Sequence, residues 1–178
     1  DNFGEIERHV RIHKFGTQVK VDKETFSETL TIAGRDLFDV FDFEIVRGER
    51  TALQNDKSVI LDENTAVKYF GAEEPVGKVI SIQLGETFDE FVVRAVVRNI
   101  STNSSIRFYL MISDLNYSKL MSPETLTSEW FNVTPETYLL LKDGVSERML
   151  ESKFPSMLRS AIGPDDFEKS HYQAGLQP

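Results

Sequence analysis

Two histidines four residues apart, His9 and His13, are the first side chains in this sequence whose types and spacing could do chemistry. On one helix or strand they would share a face, so they could supply two ligands to a zinc ion. The third histidine, His171, is far away in sequence, and there is no cysteine to complete a site or to form a disulfide. We therefore expect the pair to be surface residues of an amphipathic strand, with no metal bound.

Nucleophilic and phosphate chemistry lack their usual motifs. The sequence contains no Gly-x-Ser-x-Gly elbow, no Walker-type phosphate loop, no Gly-x-Gly-x-x-Gly and no His-Glu-x-x-His. With 29 carboxylates in the chain, adjacent acidic pairs such as Asp165-Asp166 and Glu73-Glu74 are expected to be solvated turns rather than acid/base pairs. We predict that the chain is not an enzyme, has no catalytic residues and needs no cofactor.

One aromatic pair, Trp130-Phe131, stands among polar residues in a loop-rich stretch. Exposed, two large aromatic side chains would mark a surface for contact with a partner, and buried they would fill the edge of the core. The second arrangement is favoured, but this is the one place where the sequence suggests a partner contact.

Composition indicates a folded domain. The chain is 40% hydrophobic and contains thirteen phenylalanines, whereas its net charge of −9 disfavours binding to nucleic acid or to an anionic membrane surface. Its longest apolar runs fall far short of the roughly 20 residues that a membrane helix requires. We expect no signal peptide at its start.

The elements that would position such side chains are clearest in residues 58–78. Residues 58–61, a serine followed by three apolar residues, predict a strand, after which Asp62 is a suitable N-cap and Leu61 can pack on Ala66. A short helix with one apolar face, formed by Ala66, Val67 and Phe70, then ends at Gly71. Pro75 and Gly77 turn the chain into an alternating strand at residues 79–84.

The rest of the chain predicts a mixed α+β domain. Gly16-Thr17 is expected to form a turn, residues 85–90 a hairpin loop, and residues 91–100 a largely buried strand. A long helix is predicted at residues 146–162, with a kink at Pro155. The other predicted strands are residues 9–15, 25–33, 107–113, 134–141 and 172–176, with single helical turns near residues 36–40 and 114–120.

The segment 58–78 resembles the signature of the MacB-like periplasmic core domain of FtsX-like permeases, which are membrane subunits of a class of ABC transporters. A second similarity, upstream, runs through Phe38, Phe41, Phe43, Ile45 and Gly48. A third, at residues 92–105, departs from the family pattern at Ala95, Ser101 and Ser105. The first similarity is carried by Val59, Leu61, Glu63, Ala66, Phe70, Gly71, Glu74, Pro75, Gly77 and Lys78.

The resemblance implies a particular organisation. Residues 1–48 and 106–178 would form a discontinuous porter-like α/β sandwich, and residues 49–105 an inserted, mostly β subdomain. The matching motif would be a folding element rather than a chemical site. Its structural residues would be Phe38, Phe41, Leu61, Ala66, Phe70, Gly71, Pro75 and Gly77.

The resemblance also implies a function. The chain would be the extracytoplasmic core domain of a permease, lying between two transmembrane helices and coupling ATP-driven motion to a substrate or partner outside the membrane. Its implied partners are a cytoplasmic ATPase that does not touch it, a second permease copy, and a periplasmic adaptor or substrate. By itself we expect it to be monomeric and not to bind nucleotide. The alternative is a stand-alone ligand-binding or sensor domain.

Overall fold

The computed structural model of the protein describes residues 3–121 and 136–177. Contacts divide the chain into two compact units, residues 9–138 and residues 1–8 together with 139–178. The first unit is dominated by strands and the second carries the last three helices. This separation of strands from helices confirms the predicted α+β class.

Eight strands and six α-helices are present in the described residues. Two short 3-10 turns, Ala52–Gln54 and Asp114–Asn116, complete them. The strands are β1 (Ile6–Val21), β2 (Glu24–Ala33), β3 (Ile45–Gly48), β4 (Ser58–Asp62), β5 (Val79–Leu84), β6 (Thr87–Val97), β7 (Leu110–Ser113) and β8 (Glu136–Leu141). The helices are α1 (Leu37–Val40), α2 (Glu63–Phe70), α3 (Tyr117–Leu120), α4 (Glu147–Glu151), α5 (Phe154–Ile162) and α6 (Pro164–Ser170).

Six of the strands close into a ring. Following hydrogen-bonded neighbours, the order is β1, β2, β7, β4, β6, β5 and back to β1. The β2–β7 and β4–β6 pairs are parallel, and the other four pairs are antiparallel. Because the ring is closed, none of these six strands is a sheet edge along its paired length, and the unit is a small mixed barrel.

The barrel interior is filled by apolar side chains from all six strands. One buried cluster receives residues from each of them, which is possible only where the inward faces converge. Helix α2 adds Ala66 and Tyr69 to this cluster and α3 adds Tyr117, so both helices pack against the interior residues. The strand residues of the interior cluster include Val19, Leu30, Val59, Leu61, Ile82, Phe91, Val93, Val96, Leu110 and Ile112.

A second cluster covers the outside of part of the ring. It joins outward-facing residues of β1, β2, β4, β6 and β7 to α1 and the 3-10 turn at Ala52–Gln54, but takes none from β5. Strands β4 and β7 therefore have both faces covered, and all their residues are buried. This is why residues 59–61 are all apolar instead of alternating with polar residues.

A β-bulge in β6 reverses which side chains point inward. On β4, Val59 pairs with Val93 and the next residue, Ile60, pairs with Ala95, so Arg94 is the extra residue. Before the bulge the odd-numbered Phe91 and Val93 join the interior cluster. After it Val96 does so, while Ala95 and Val97 join the outer cluster.

Gly48, at the end of β3, packs directly on this bulge. Its φ is +85°, and a Cβ built there would lie 2.0 Å from the Arg94 carbonyl oxygen and 2.8 Å from the Ala95 Cα. The next amide, Glu49 N, donates a hydrogen bond of 3.0 Å to the same Arg94 oxygen. Only glycine has both the backbone freedom and the small size for this contact.

Several predicted boundaries were wrong. The predicted turn at Gly16-Thr17 lies inside β1, where Gly16 pairs with Thr29, and the hairpin turns instead at Asp22, with a φ of 52°. Strand β6 begins at Thr87, so residues 85–90 are mostly strand rather than loop. Residues 172–176 form no strand.

The predicted long helix at residues 146–162 is two helices. Pro155 lies in the first turn of α5, where its missing N–H costs no hydrogen bond, so the proline starts a helix rather than kinking one. The acidic pair Asp165-Asp166 occupies the first turn of α6 rather than a solvated turn. None of the helices in the described residues is long and apolar enough to cross a membrane.

The compact units agree with the predicted subdomains in one respect: both ends of the chain fall in the same unit. Their boundaries differ, because the barrel draws strands from residues on both sides of positions 49 and 105. The assignment of residues 49–105 as a separate inserted subdomain therefore stays a prediction.

In the smaller unit, both described chain ends contact one pair of helices. The Phe3 ring packs edge-on against Phe154 of α5, with centroids 6.1 Å apart. Near the other end, Leu176 N donates a hydrogen bond of 2.8 Å to Glu151 Oε1 of α4. The two ends of the chain thus leave from neighbouring points of the same unit.

Candidate functional site

Helix α2 organises the candidate site, and local sequence explains its limits. The Asp62 carboxylate accepts a hydrogen bond of 2.8 Å from Thr65 N, which satisfies one of the free amides of the first turn. At the other end Gly71 has a φ of 61°, and its N–H donates to Val67 O. The predicted cap and the predicted glycine stop are both present.

The apolar face of α2 differs from the predicted one. Tyr69, not Val67, packs into the barrel interior, where its hydroxyl donates a hydrogen bond of 3.0 Å to Glu28. Burial and the nearby Glu28 carboxylate raise the pKa of Tyr69 well above its ordinary value. Val67 is 63% exposed, and Phe70 is half-buried. The helix therefore presents an apolar side chain to solvent.

A groove of about 460 Å³ lies beside this helix, between α2 and the strands β3 and β6. We call it the signature groove, because seven of its eleven lining residues belong to the segment 58–78. Those seven are Glu63, Ala66, Val67, Gly71, Ala72, Glu73 and Pro75, and the other four are Val46, Arg47, Val96 and Arg98.

Charged side chains along the groove form ion pairs, one of which, between Arg98 and Glu63, joins its two walls. On one side Arg47 of β3 pairs with Glu74, with 3.4 Å between nitrogen and oxygen. On the other side Arg98 makes two hydrogen bonds to Glu44, of 2.5 and 2.6 Å, and lies 4.0 Å from Glu63. The hydrogen bonds from Arg98 hold the pKa of Glu44 below its usual value. Glu63 is only about one-third exposed and the other side chains are largely exposed, so these pairs contribute little to stability.

The predicted structural residues occupy different environments. Phe38 and Leu61 are buried, in the outer and interior clusters respectively, whereas Phe41 is half-buried with its ring edge-on to Tyr138. Ala66, Gly71 and Pro75 all line the signature groove.

Gly77, with a φ of 92°, donates its N–H to Val93 O at 2.8 Å and so joins the turn to β6. The groove residues of β3 and β6 lie in the two further segments that resemble the family, but no local pattern indicated that these segments and α2 would enclose a groove.

Because Phe70 is half-buried, Phe70→Ala is expected to destabilise the domain by about 1–3 kcal/mol, less than the 3–5 kcal/mol of a fully buried phenylalanine. Its ring packs edge-on to Tyr69, and Lys78 Nζ lies 5.4 Å from its centroid. Urea denaturation followed by circular dichroism would measure the change. A loss as large as that of a core phenylalanine would contradict the half-buried position.

The described residues place neither His9 nor His13 in a cluster of possible metal ligands. Within residues 3–121 and 136–177, no three His, Asp or Glu side chains are grouped closely enough to hold a metal ion. His9 is exposed, as expected. His13 instead packs its ring 3.9 Å from that of Phe15 and 6.3 Å from that of Tyr117. Its Nδ1 is buried with no hydrogen-bond partner among the described residues, and burial lowers the pKa of His13 below its ordinary value.

This lowered pKa predicts a pH dependence of stability. Below about pH 6.5 the unfolded chain takes up a proton that folded His13 resists, so stability should fall as pH drops from about 6.5 to the folded pKa. Below the folded pKa of His13 the stability should no longer change from this cause, and above about pH 6.5 the full stability should be retained. Thermal melts from pH 7.5 to 5 would show this decrease. His13→Phe should remove part of it and the exposed His9→Gln should not, and equal pH profiles for the two variants would contradict the assignment.

The aromatic pair Trp130-Phe131 lies outside the described residues. The groove offers charged rims and an apolar floor rather than a nucleophile with a base beside it. Such an arrangement is suited to binding.

Comparison with known proteins places this geometry in context. The family model for the MacB-like periplasmic core domain matches residues 2–156. Among solved structures, a domain described as part of a permease from Porphyromonas gingivalis is similar with a TM-score of 0.74 and 22% identity, over 90% of this chain and 73% of that one. No curated protein sequence matches.

Two further structures share the fold. The periplasmic region of MacB from Actinobacillus actinomycetemcomitans aligns with a TM-score of 0.63 and 18% identity, over 98% of this chain and 80% of that one. The extracellular domain of the noncanonic ABC-type transporter YknZ from Gram-positive bacteria aligns with a TM-score of 0.59 and 13% identity, over 89% and 78%.

Proposed function

Because this chain belongs to the MacB-like periplasmic core domain family, we propose that it couples ATP-driven movement of membrane helices to a substrate or partner outside the membrane. The family consists of periplasmic domains of transporter permeases, and it is not a known enzyme family. Such permeases work with a cytoplasmic ATPase. The nucleotide chemistry would therefore take place on another polypeptide or domain.

The observation that carries this proposal is the position of the two chain ends. Phe3 and Leu176 contact the same helix pair, α4 and α5, through Phe154 and Glu151. If the polypeptide continues from these ends into two neighbouring membrane helices, both helices are connected to the same compact unit, residues 1–8 and 139–178. A shift of either helix would then be transmitted to that unit as a rigid-body movement.

Distance measurements on the full permease with its ATPase would test the coupling. This sequence contains no cysteine, so Asp165→Cys, at an exposed position of α6, gives one spin label in each copy of the domain. In lipid nanodiscs, ATP trapping should shift the distance distribution between the two labels. An ATPase variant unable to bind ATP is the control.

An unchanged distribution in the trapped state would contradict coupling and favour the alternative, a stand-alone binding or sensor domain. The isolated domain should also be monomeric in sedimentation at micromolar concentration and should not bind ATP. Saturable ATP binding with a dissociation constant near about 1 μM would contradict the assignment of nucleotide chemistry to another polypeptide.

A further inference from the structure

The signature groove combines an apolar floor with exposed apolar surface at its rim. Ala66, Pro75 and Val96 are buried beneath it, and Val46 is half-buried. Val67 projects from α2 with 63% of its surface exposed. A side chain placed against these residues would exchange water for apolar contact on several sides, which is the basis of an anchor pocket.

The charges of the groove are separated by wall. The strand wall, formed by β3, β6 and the residue after β6, carries Arg47 and Arg98, whereas the helix wall, formed by α2 and the turn after it, carries Glu63 and Glu73. Glu73 pairs with Lys78 and keeps a largely exposed carboxylate. Arg47 and Arg98 form solvent-exposed ion pairs with Glu74 and Glu44, so an acidic group of a partner could replace these pairs at little energetic cost.

Strand β3, which contributes to the strand wall, is paired along one edge. Among the described residues, β3 pairs only with β6, so its second edge has no strand partner there. Val46 and Arg47 of this strand line the groove, so an extended segment lying in it would run alongside β3. Extended peptides commonly bind by adding to such an edge.

From these features we propose that the signature groove binds an extended segment of a protein partner, carrying one apolar side chain between an acidic and a basic one. The apolar side chain would lie against Val67 and Val96. The acidic side chain would meet Arg47 or Arg98, and the basic one Glu63 or Glu73. A nucleic acid or an anionic lipid fits less well, because its phosphates would face the acidic helix wall.

The dimensions agree with a short segment. The eight-residue helix that forms one wall is about 12 Å long. Five extended residues span about 16 Å, so two end charges can reach past both ends of the helix while the central side chain lies on the floor. This inference concerns the groove alone and does not depend on coupling to membrane helices.

Titration with synthetic peptides would test it. The probes are acetylated and amidated Glu-Thr-Leu-Thr-Lys and its charge-reversed form Lys-Thr-Leu-Thr-Glu, followed by ¹⁵N–¹H correlation spectra of the domain. At least one should shift the amide signals of Val67, Gly71 and Ala72 in a saturable manner, with a dissociation constant of about 0.1–1 mM. Replacing the central leucine by alanine should weaken binding about tenfold or more.

Two protein variants make the test specific. Val67→Asp should weaken binding of the peptide at least about tenfold, because it places a charge on the apolar surface. Leu115→Asp is the matched control, since Leu115 is similarly exposed, at 59%, but does not line the groove, and it should bind like the unmodified domain.

The proposal is overturned if neither peptide produces saturable shifts at these amides, or if the alanine peptide binds as well as the leucine peptide. Equal affinity of Val67→Asp and Leu115→Asp would also overturn it, provided that both variants keep the spectrum of a folded domain. Failure here would leave the nanodisc distance measurement unaffected, so the two proposals can be separated.

Discussion

Gly48→Ala is expected to destabilise the domain by about 4 kcal/mol or more, or to prevent folding. The new methyl group would lie 2.0 Å from the Arg94 carbonyl oxygen, and neither atom can move without disrupting the bulge of β6. Holding a non-glycine residue at a φ of +85° costs about 1–3 kcal/mol in addition to the clash. Urea denaturation would measure the sum.

Gly71→Ala is the matched control for this prediction. Gly71 also has a positive φ, 61°, but no atom lies within 4 Å of the position its Cβ would take. Only backbone strain then remains, so the expected loss is about 1–2 kcal/mol. If the two variants were equally stable, the close approach of Gly48 to Arg94 would not exist in solution.

Gly48 also matters for the candidate site. By holding the bulge at Arg94, it keeps Val96 of β6, and Arg98 just after the strand, in positions that face the groove. Without the extra residue, the period of two along the strand would turn those positions to the other face. The glycine and the groove are therefore linked through one backbone feature.

Phe91→Ala is the second variant with a large expected effect, a loss of about 3–5 kcal/mol. Phe91 is fully buried in the barrel interior, and shortening it would leave a cavity between strands that are fixed by pairing around a closed ring. Because such a ring cannot collapse onto the cavity easily, the loss should be near the upper end of the range.

Phe88→Ala, three residues earlier on the same strand, is the comparison. Phe88 is 38% exposed, and its ring makes a cation–π contact with Lys20, whose Nζ lies 3.7 Å from the ring centroid. Its removal should cost no more than about 1 kcal/mol. Similar midpoints of thermal unfolding for the two alanine variants would show that Phe91 does not fill the core.

The stability predictions and the groove proposal concern different parts of the larger unit, residues 9–138. The interior cluster sets the free energy of unfolding, whereas the groove residues Arg47, Val67 and Arg98 are exposed and contribute little to it. Variants in the groove should therefore fold normally, and this makes the binding test practicable.

The sequence by itself determined the unit at residues 58–84. Asp62 caps α2, Gly71 ends it, and Gly77 leads into β5, all as predicted. These features depend on hydrogen bonds and backbone preferences between residues a few positions apart, so they are present in the local sequence. The α+β class followed from the same kind of pattern.

Only the tertiary structure decided the closure of the barrel and the groove. Gly16 lies inside a strand because β2 pairs along its whole length, and Pro155 starts a helix because the chain turns between α4 and α5. Which face of α2 is covered depends on β2, whose Glu28 holds Tyr69 and leaves Val67 free for the groove. Contacts of this kind join residues about 40 positions apart in the chain, and no local pattern specifies which distant strand will be the neighbour.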